Sequence, residues 1–578
     1  MLHHGDSEGK FEEADPSKGI LSRVVSIRRH FSSGMTTGVL CFVLSLVFYY
    51  GTVLCVQLQR TDLLDLGPYP DAVEYFAQAD SILKDGVAAI QIGYDKLPSR
   101  YPPGYPLLML PWLKLLPHNE VSAPLRTNQT IGLLLLISGF AFYVGIGRPL
   151  AGGLATLLLA SQPAFISFSR SSMSDLSGAA AAVLAFALVY LGLRRVVRWP
   201  IYSGAVVLGL SLCIRPQLLF FAPLLVAMAL FPVRNSWRQW FVHCCVVLVV
   251  FAAAALPYFV FNTVKFGHPL KTGYDFWVPE WTETTGLFSV HNVPAQLAML
   301  WSEITGNWHE FRVANLFGTG TYIVPPFVLL ALLGLAFVPA DRFTGSAFLG
   351  AGSYFIATLT YAFVDGRFYL PLFLLLIPLA ILPAELAVSH VLKLRFSVST
   401  IGVLTIFLLA CIGYPSQSGF KPEKHRFQAW DALQYTKSKG MSRQYEAQKA
   451  LAFSFRDAPG IVLSDTDPPY LNVLLPKPFV AAPIDDKHNY CYSRIFHYGK
   501  AEAIRLVAGG LDRAIPVYAL LLPSEHVDQD VRRLPQIQRY TWKRSDRSGT
   551  TAVIMILTRE TVDRSLDSVP ADGGMIAQ

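Results

Sequence analysis

The sequence predicts a polytopic α-helical membrane protein of about eleven transmembrane helices, followed by an α/β domain on the outer side of the membrane. Three observations predict it. Of 578 residues, 52% are hydrophobic and 15% are charged, a balance too apolar for an ordinary soluble chain. Long apolar runs recur from residue 35 to residue 414. Basic residues fall in every second connection between them, as expected for loops that orient helices in a bilayer.

A helical crossing needs about 17–25 apolar residues. Runs of that kind cover 35–58, 127–147, 150–169, 175–193, 201–231, 240–262, 321–339, 344–364, 368–392 and 398–414. The run 201–231 is long enough for a hairpin broken at Arg215-Pro216, which brings the total to about eleven crossings. With Arg23, Arg28 and Arg29 in the cytoplasm, Arg148, the group Arg194, Arg195 and Arg198, Arg234 with Arg238, Arg342, and Lys393 with Arg395 also fall inside. Residues 59–126, 170–174, 263–320 and 365–367 then lie outside, together with the C-terminal tail.

The expected organisation is a cytoplasmic tail (1–34), a membrane domain (35–414) with outer loops 59–126 and 263–320, an outer α/β domain (415–565) and a disordered tail (566–578). The first apolar run lacks a small-residue cleavage site, so an uncleaved first span in the inner (plasma) membrane is expected. Beyond residue 415, the short β-rich runs GIVLSD (460–465), PFVAAP (478–483), PVYALLLP (516–523) and TAVIMILT (551–558) alternate with helix-compatible stretches. The formal charge of +8 is accounted for by the orienting loops, and no nucleic acid partner is expected. The seven cysteines form neither a disulfide framework nor a zinc spacing.

The acidic segment GPYPDAVEYFAQADSILKDG (67–86) follows the first span. Its prolines set a turn, Asp71 falls in the first turn of a helix, and Gly86 ends it. Asp71, Glu74 and Gln78 share one helix face by spacing. Lys96 and Arg100 stand just downstream, before the apolar stretch around 104–115, which is too short to cross and reads as an interfacial helix. Asp175 closes SRSSMSD (169–175) on the same outer side, either as a helix cap or as a second carboxylate at a site. Arg215 lies inside an apolar run, where charge is expensive and usually functional. Arg367 lies in the outer connection VDGRFYLP.

Taken in order, the acidic first outer loop, SRYPPGYPLL (99–108), SRSSMSD, the Arg215-Pro216 pair and GRFYLPLF (366–373) resemble GT-C-type membrane glycosyltransferases. Within that class they are similar to the group holding the protein O-mannosyltransferases and the aminoarabinose transferase that modifies lipid A. The resemblance spans roughly residues 35–414. It implies inverting transfer of a sugar from a polyprenyl-phosphate donor to a glycan, lipid or protein acceptor at the outer membrane face, with Asp71 as general base.

An acceptor hydroxyl needs a carboxylate within hydrogen-bond reach to take its proton. The departing phosphate needs cations, and Arg215, Arg367, Arg100, Lys96 and Arg170 are the candidates, arginine matching phosphate oxygens in a two-pronged fashion. Glu74 and Asp175 are assigned to acceptor binding or, with Asp71, to a divalent metal; no cofactor is otherwise called for. Glu280 and His291 in the loop 263–320 are candidates for hydroxyl contacts, and Asp465 with Asp467 in the tail for glycan contacts. The rival reading is a transporter or lipid flippase with an outer sensor domain, which calls for charges near the bilayer midplane and repeated broken helices.

Overall fold

The computed structural model describes residues 34–54, 71–92, 95–116, 120–230, 236–277, 287–305, 326–339, 341–393, 460–463, 480–482, 499–521, 533, 540–544 and 553–559. The run 398–414, Glu280, Asp465, Asp467 and both expected tails lie outside them.

Helices dominate up to residue 393. They are α1 (Gly34–Leu54), α2 (Asp71–Asp85), α3 (Gly104–Leu115), α4 (Ala123–Gly145), α5 (Pro149–Ser161), α6 (Pro163–Ser169), α7 (Asp175–Arg195) and α8 (Arg198–Ser211). They continue with α9 (Leu224–Ala229), α10 (Trp237–Phe266), α11 (Gly273–Trp277), α12 (Val293–Thr305), α13 (Pro326–Leu335), α14 (Arg342–Leu359) and α15 (Leu370–Lys393). A small antiparallel hairpin of β1 (Ile90–Ile92) and β2 (Asp95–Leu97) separates α2 from α3. Among the described residues, five helices are long and apolar enough to cross a membrane: α1, α4, α7, α10 and Gly366–Val388.

Two apolar runs are not single helices. The run 150–169 divides at Gln162, which is extended (ψ 130°), because Pro163 has no N–H to continue the ladder and disfavours helix in the residue before it. The run 201–231 breaks where expected. Arg215 is extended (φ −146°, ψ 110°), and a 3-10 turn over Pro216–Phe221 leads into α9.

Small residues allow close approach inside the bundle. Gly38 of α1 meets the backbone of Pro149, and Gly153 of α5 meets the backbone of Gly38. A side chain at Gly104, the first residue of α3, would strike the Cys213 carbonyl, and the Gly104 N–H donates to that oxygen at 2.7 Å. The start of α3 is thereby fastened to the break that precedes Arg215. Asn128 of α4 donates to the carbonyls of Ser171 (2.9 Å) and Met173 (2.8 Å), fixing the turn that leads to Asp175.

The described residues beyond 460 form a five-stranded mixed sheet in the order β4-β3-β5-β7-β6. Its strands are β3 (Ile461–Leu463), β4 (Val480–Ala482), β5 (Val517–Leu521), β6 (Tyr540–Arg544) and β7 (Val553–Arg559), with α16 (Gly499–Asp512) packed on β3, β4 and β5. β3 runs parallel to β4 and β5, and β7 antiparallel to β5 and β6. Four strands fall on the short β-rich runs of the sequence. The fifth, YTWKR, carries two charges that mask its alternation.

Candidate active site

α2 begins at Asp71 and ends at Gly86, whose positive φ (69°) suits a residue without a Cβ. Residues 72–79 are all buried, so this helix is packed from its first turn rather than laid on a surface.

Glu74 is fully buried. Its carboxylate accepts from the Ser99 hydroxyl (2.8 Å), the Arg100 backbone N–H (2.6 Å) and Arg100 Nε (2.9 Å). Arg100 is thus aimed by Glu74, and its Nη2 lies 3.6 Å from Asp71 Oδ1. Arg367 approaches from the other end of the membrane domain and donates from Nη1 to Asp71 Oδ2 at 2.8 Å. Asp365 stands behind it, accepting the Arg367 backbone N–H at 3.0 Å, with Oδ2 3.3 Å from Nε. Arg215 pairs with Asp175 at the start of α7. The guanidinium carbons of Arg215 and Arg367 lie 5.3 and 5.1 Å from the Phe368 ring centre, within cation–π range.

These groups surround one cavity of about 220 Å³ whose wall includes Asp71, Arg100, Asp175, Arg215 and Arg367. The rest of the wall is mostly aromatic and aliphatic. Tyr75 and Tyr101 lie 4.4 Å apart between ring centres, and the series continues to Tyr274 and, through Phe363, to Tyr361 and Phe368. The backbone carbonyls of Tyr361 and Phe363 accept from the buried Gln296 amide of α12, which fixes that edge.

Burial pushes the Asp71 carboxyl up, but the guanidiniums of Arg367 and Arg100 outweigh it and hold the group below the usual carboxylate range. Asp365 has the opposite balance: burial, only partly offset by Arg367, pushes it up to about 6. Burial also raises the Tyr101 phenol well above its ordinary value, which keeps it a neutral hydrogen-bonding group.

No protein-family model matches the chain, and no curated protein matches it in sequence. Solved structures resemble it in fold. The chain is similar to ArnT from Cupriavidus metallidurans bound to undecaprenyl phosphate, at 14% identity over 90% of this chain and 97% of that one, with a TM-score of 0.55. It is also similar to the archaeal oligosaccharyltransferase AglB from Archaeoglobus fulgidus in complex with an inhibitory peptide and a dolichol-phosphate, at 13% identity over 93% of this chain and 75% of that one, with a TM-score of 0.52. The fold is of the GT-C type.

In this GT-C fold, Asp71, Asp175, Arg100, Arg215 and Arg367 meet at one cavity, as the sequence positions allow. Other sequence candidates stand elsewhere. Lys96 is exposed and pairs with Asp85 at 2.8 Å, away from the wall. Arg170 is buried and does not line the cavity, and Glu74 serves Arg100 rather than the cavity. His291 is exposed on a short turn outside the cavity.

Among the described residues no three His, Cys, Asp or Glu side chains gather to hold a metal. Among the described residues each cavity carboxylate faces a guanidinium instead, which is a poor donor set for a cation.

Sequence reasoning missed Asp365, Phe368 and the tyrosines. Asp365 had a readable signal, since an Asp two residues before an Arg at a proline-bounded helix start is a local N-cap.

Proposed function

We propose that the chain transfers a sugar from a polyprenyl-phosphate donor to an acceptor hydroxyl at the outer membrane face, inverting the anomeric centre. One observation supports this best. Two carboxylates and three guanidiniums share one cavity with an otherwise mostly aromatic and aliphatic wall, which suits a reaction that removes a proton at one atom and stabilises a departing phosphate at another.

In this reading Asp71 accepts the acceptor's O–H proton as that oxygen bonds to the anomeric carbon. The bond from that carbon to the phosphate oxygen breaks, and its electron pair stays on the phosphate, facing Arg215, Arg367 and Arg100. A phosphate that draws on Arg367 and Arg100 loosens their hold on Asp71, so the base strengthens once donor is in place. Asp175 orients the acceptor, and the tyrosine faces stack on the sugar ring. The gathering of charges at one cavity, rather than along the spans, speaks against the transporter reading.

The test is to incubate membranes holding the protein with radiolabelled polyprenyl-phosphate monosaccharides and follow label into lipid, glycan and protein fractions. Label that stays on the donor lipid in every fraction, with folded protein present, would reject the proposal.

A further inference from the structure

Around the cavity four carboxylates (Asp71, Glu74, Asp175, Asp365) are set against three guanidiniums (Arg100, Arg215, Arg367). An incoming anionic headgroup adds negative charge beside these carboxylates and favours protonation of the one held least firmly. Three are firmly committed: Glu74 accepts three hydrogen bonds, Asp71 lies between two guanidiniums, and Asp175 pairs directly with Arg215.

Asp365 is held more loosely. Its Oδ1 takes the Arg367 backbone N–H, while Oδ2 lies 3.3 Å from Arg367 Nε without lining up with the N–H bond. Among the described residues that buried Nε has no hydrogen-bond acceptor. Asp365 is itself only 8% exposed and stands outside the cavity wall, behind Arg367.

Resting on the donor class proposed above, we infer that Asp365 is a positioning residue whose protonation releases Arg367 toward the lipid phosphate, so that donor binding takes up a proton and strengthens at mildly acidic pH.

The sign follows from the neighbours. Asp365 faces the positive Arg367 on its own turn and the negative Asp71 of α2 and Asp175 of α7, with Arg100 and Arg215 one shell further out. A bound phosphate adds negative charge beside Arg367 and favours the protonated acid. Burial already carries the free acid to about 6. Affinity is therefore full below that pH and falls as pH rises through it, until the acid in the complex has also ionised. Its role as N-cap of the Gly366–Tyr369 turn is separable, because asparagine caps equally well and does not titrate.

The test uses the full chain in lipid nanodiscs and a polyprenyl methyl phosphodiester. That probe has no second ionisation, whereas a phosphate monoester titrates near 6 itself. Its Kd is measured from pH 5 to pH 8. The expected result is a loss of about tenfold in affinity across that range, the size produced when binding moves the acid's titration midpoint by one pH value. Asp365→Asn is expected to bind at the acidic-limb strength throughout, and Asp365→Ser, which also caps, to give the same flat profile. A flat parent profile, or a slope that persists in Asp365→Asn, would overturn the inference while leaving the donor class standing. A probe that binds at no pH would overturn both.

Discussion

Asp175 meets Arg215 through one carboxylate oxygen, while its Oδ2, also buried, has no hydrogen-bond partner among the described residues. The pair is nearly fully enclosed, so removing one member strands the other's charge. Arg215→Ala is expected to cost about 3–5 kcal/mol of stability, measured by thermal unfolding in detergent. Asp175→Asn combined with Arg215→Gln is expected to restore most of that loss while leaving transfer impaired. Full recovery of transfer would show that the pair serves packing alone.

For Asp71→Asn the expected outcome is a fall in transfer of about 10²–10⁴-fold, the usual contribution of a positioned general base, with little change in melting temperature. Asparagine keeps an oxygen to accept from Arg367 Nη1, so the wall retains its shape. Single-turnover label transfer checks it. A rate within a few-fold of the parent, on the order of two to three, would remove Asp71 from the chemistry.

The pH response of Asp71 has a definite sign. Its carboxyl lies below the usual range when folded, so its ion pairs are fully present above about pH 4 and are lost only as pH falls through the lowered value. Transfer at limiting donor, which reports the free protein, should therefore not decline between pH 7 and about pH 5 through loss of this base. A steep fall in that window, at limiting donor, would mean that Asp71 is not held as described.

Gly104→Ala would push a methyl group into the Cys213 carbonyl. Because both neighbours are backbone, neither can swing aside, and a destabilisation of about 1–3 kcal/mol is expected. Donor binding should weaken as well, since the same contact fixes the residues leading to Arg215. Parental stability together with parental donor affinity would show that α3 is not fastened there.

Most of the membrane bundle was readable because its signal is local. Apolar length marks α1, α4, α7, α10 and α15, and the proline that follows Arg215 marks the break. The hidden Pro163 break shows where length alone misleads: a proline inside the run 150–169, which is about one bilayer span long, reads as a tolerated kink. Asp71, Asp175, Arg215 and Arg367 could be named singly because charge beside apolar runs is costly. What could not be read was partnership. Glu74 and Asp71 are three positions apart and look alike in sequence, yet one aims Arg100 from behind and the other faces the cavity. That distinction depends on where residues 99–101 fold back, which no spacing rule encodes. Lys96 looked equivalent to Arg100 for the same reason, but the β1–β2 hairpin turns it toward Asp85.

The contact between Asp71 and Arg367 spans 296 positions of chain. At a synthesis rate of about 5–20 residues per second, a ribosome needs about 15–60 s after making the first to supply the second. Throughout that interval the nascent chain carries Asp71 without one of its two cationic clamps, and no partial product of translation can assemble the complete pocket. Assembly of the cavity wall is thus deferred until the turn that precedes α15 has been made.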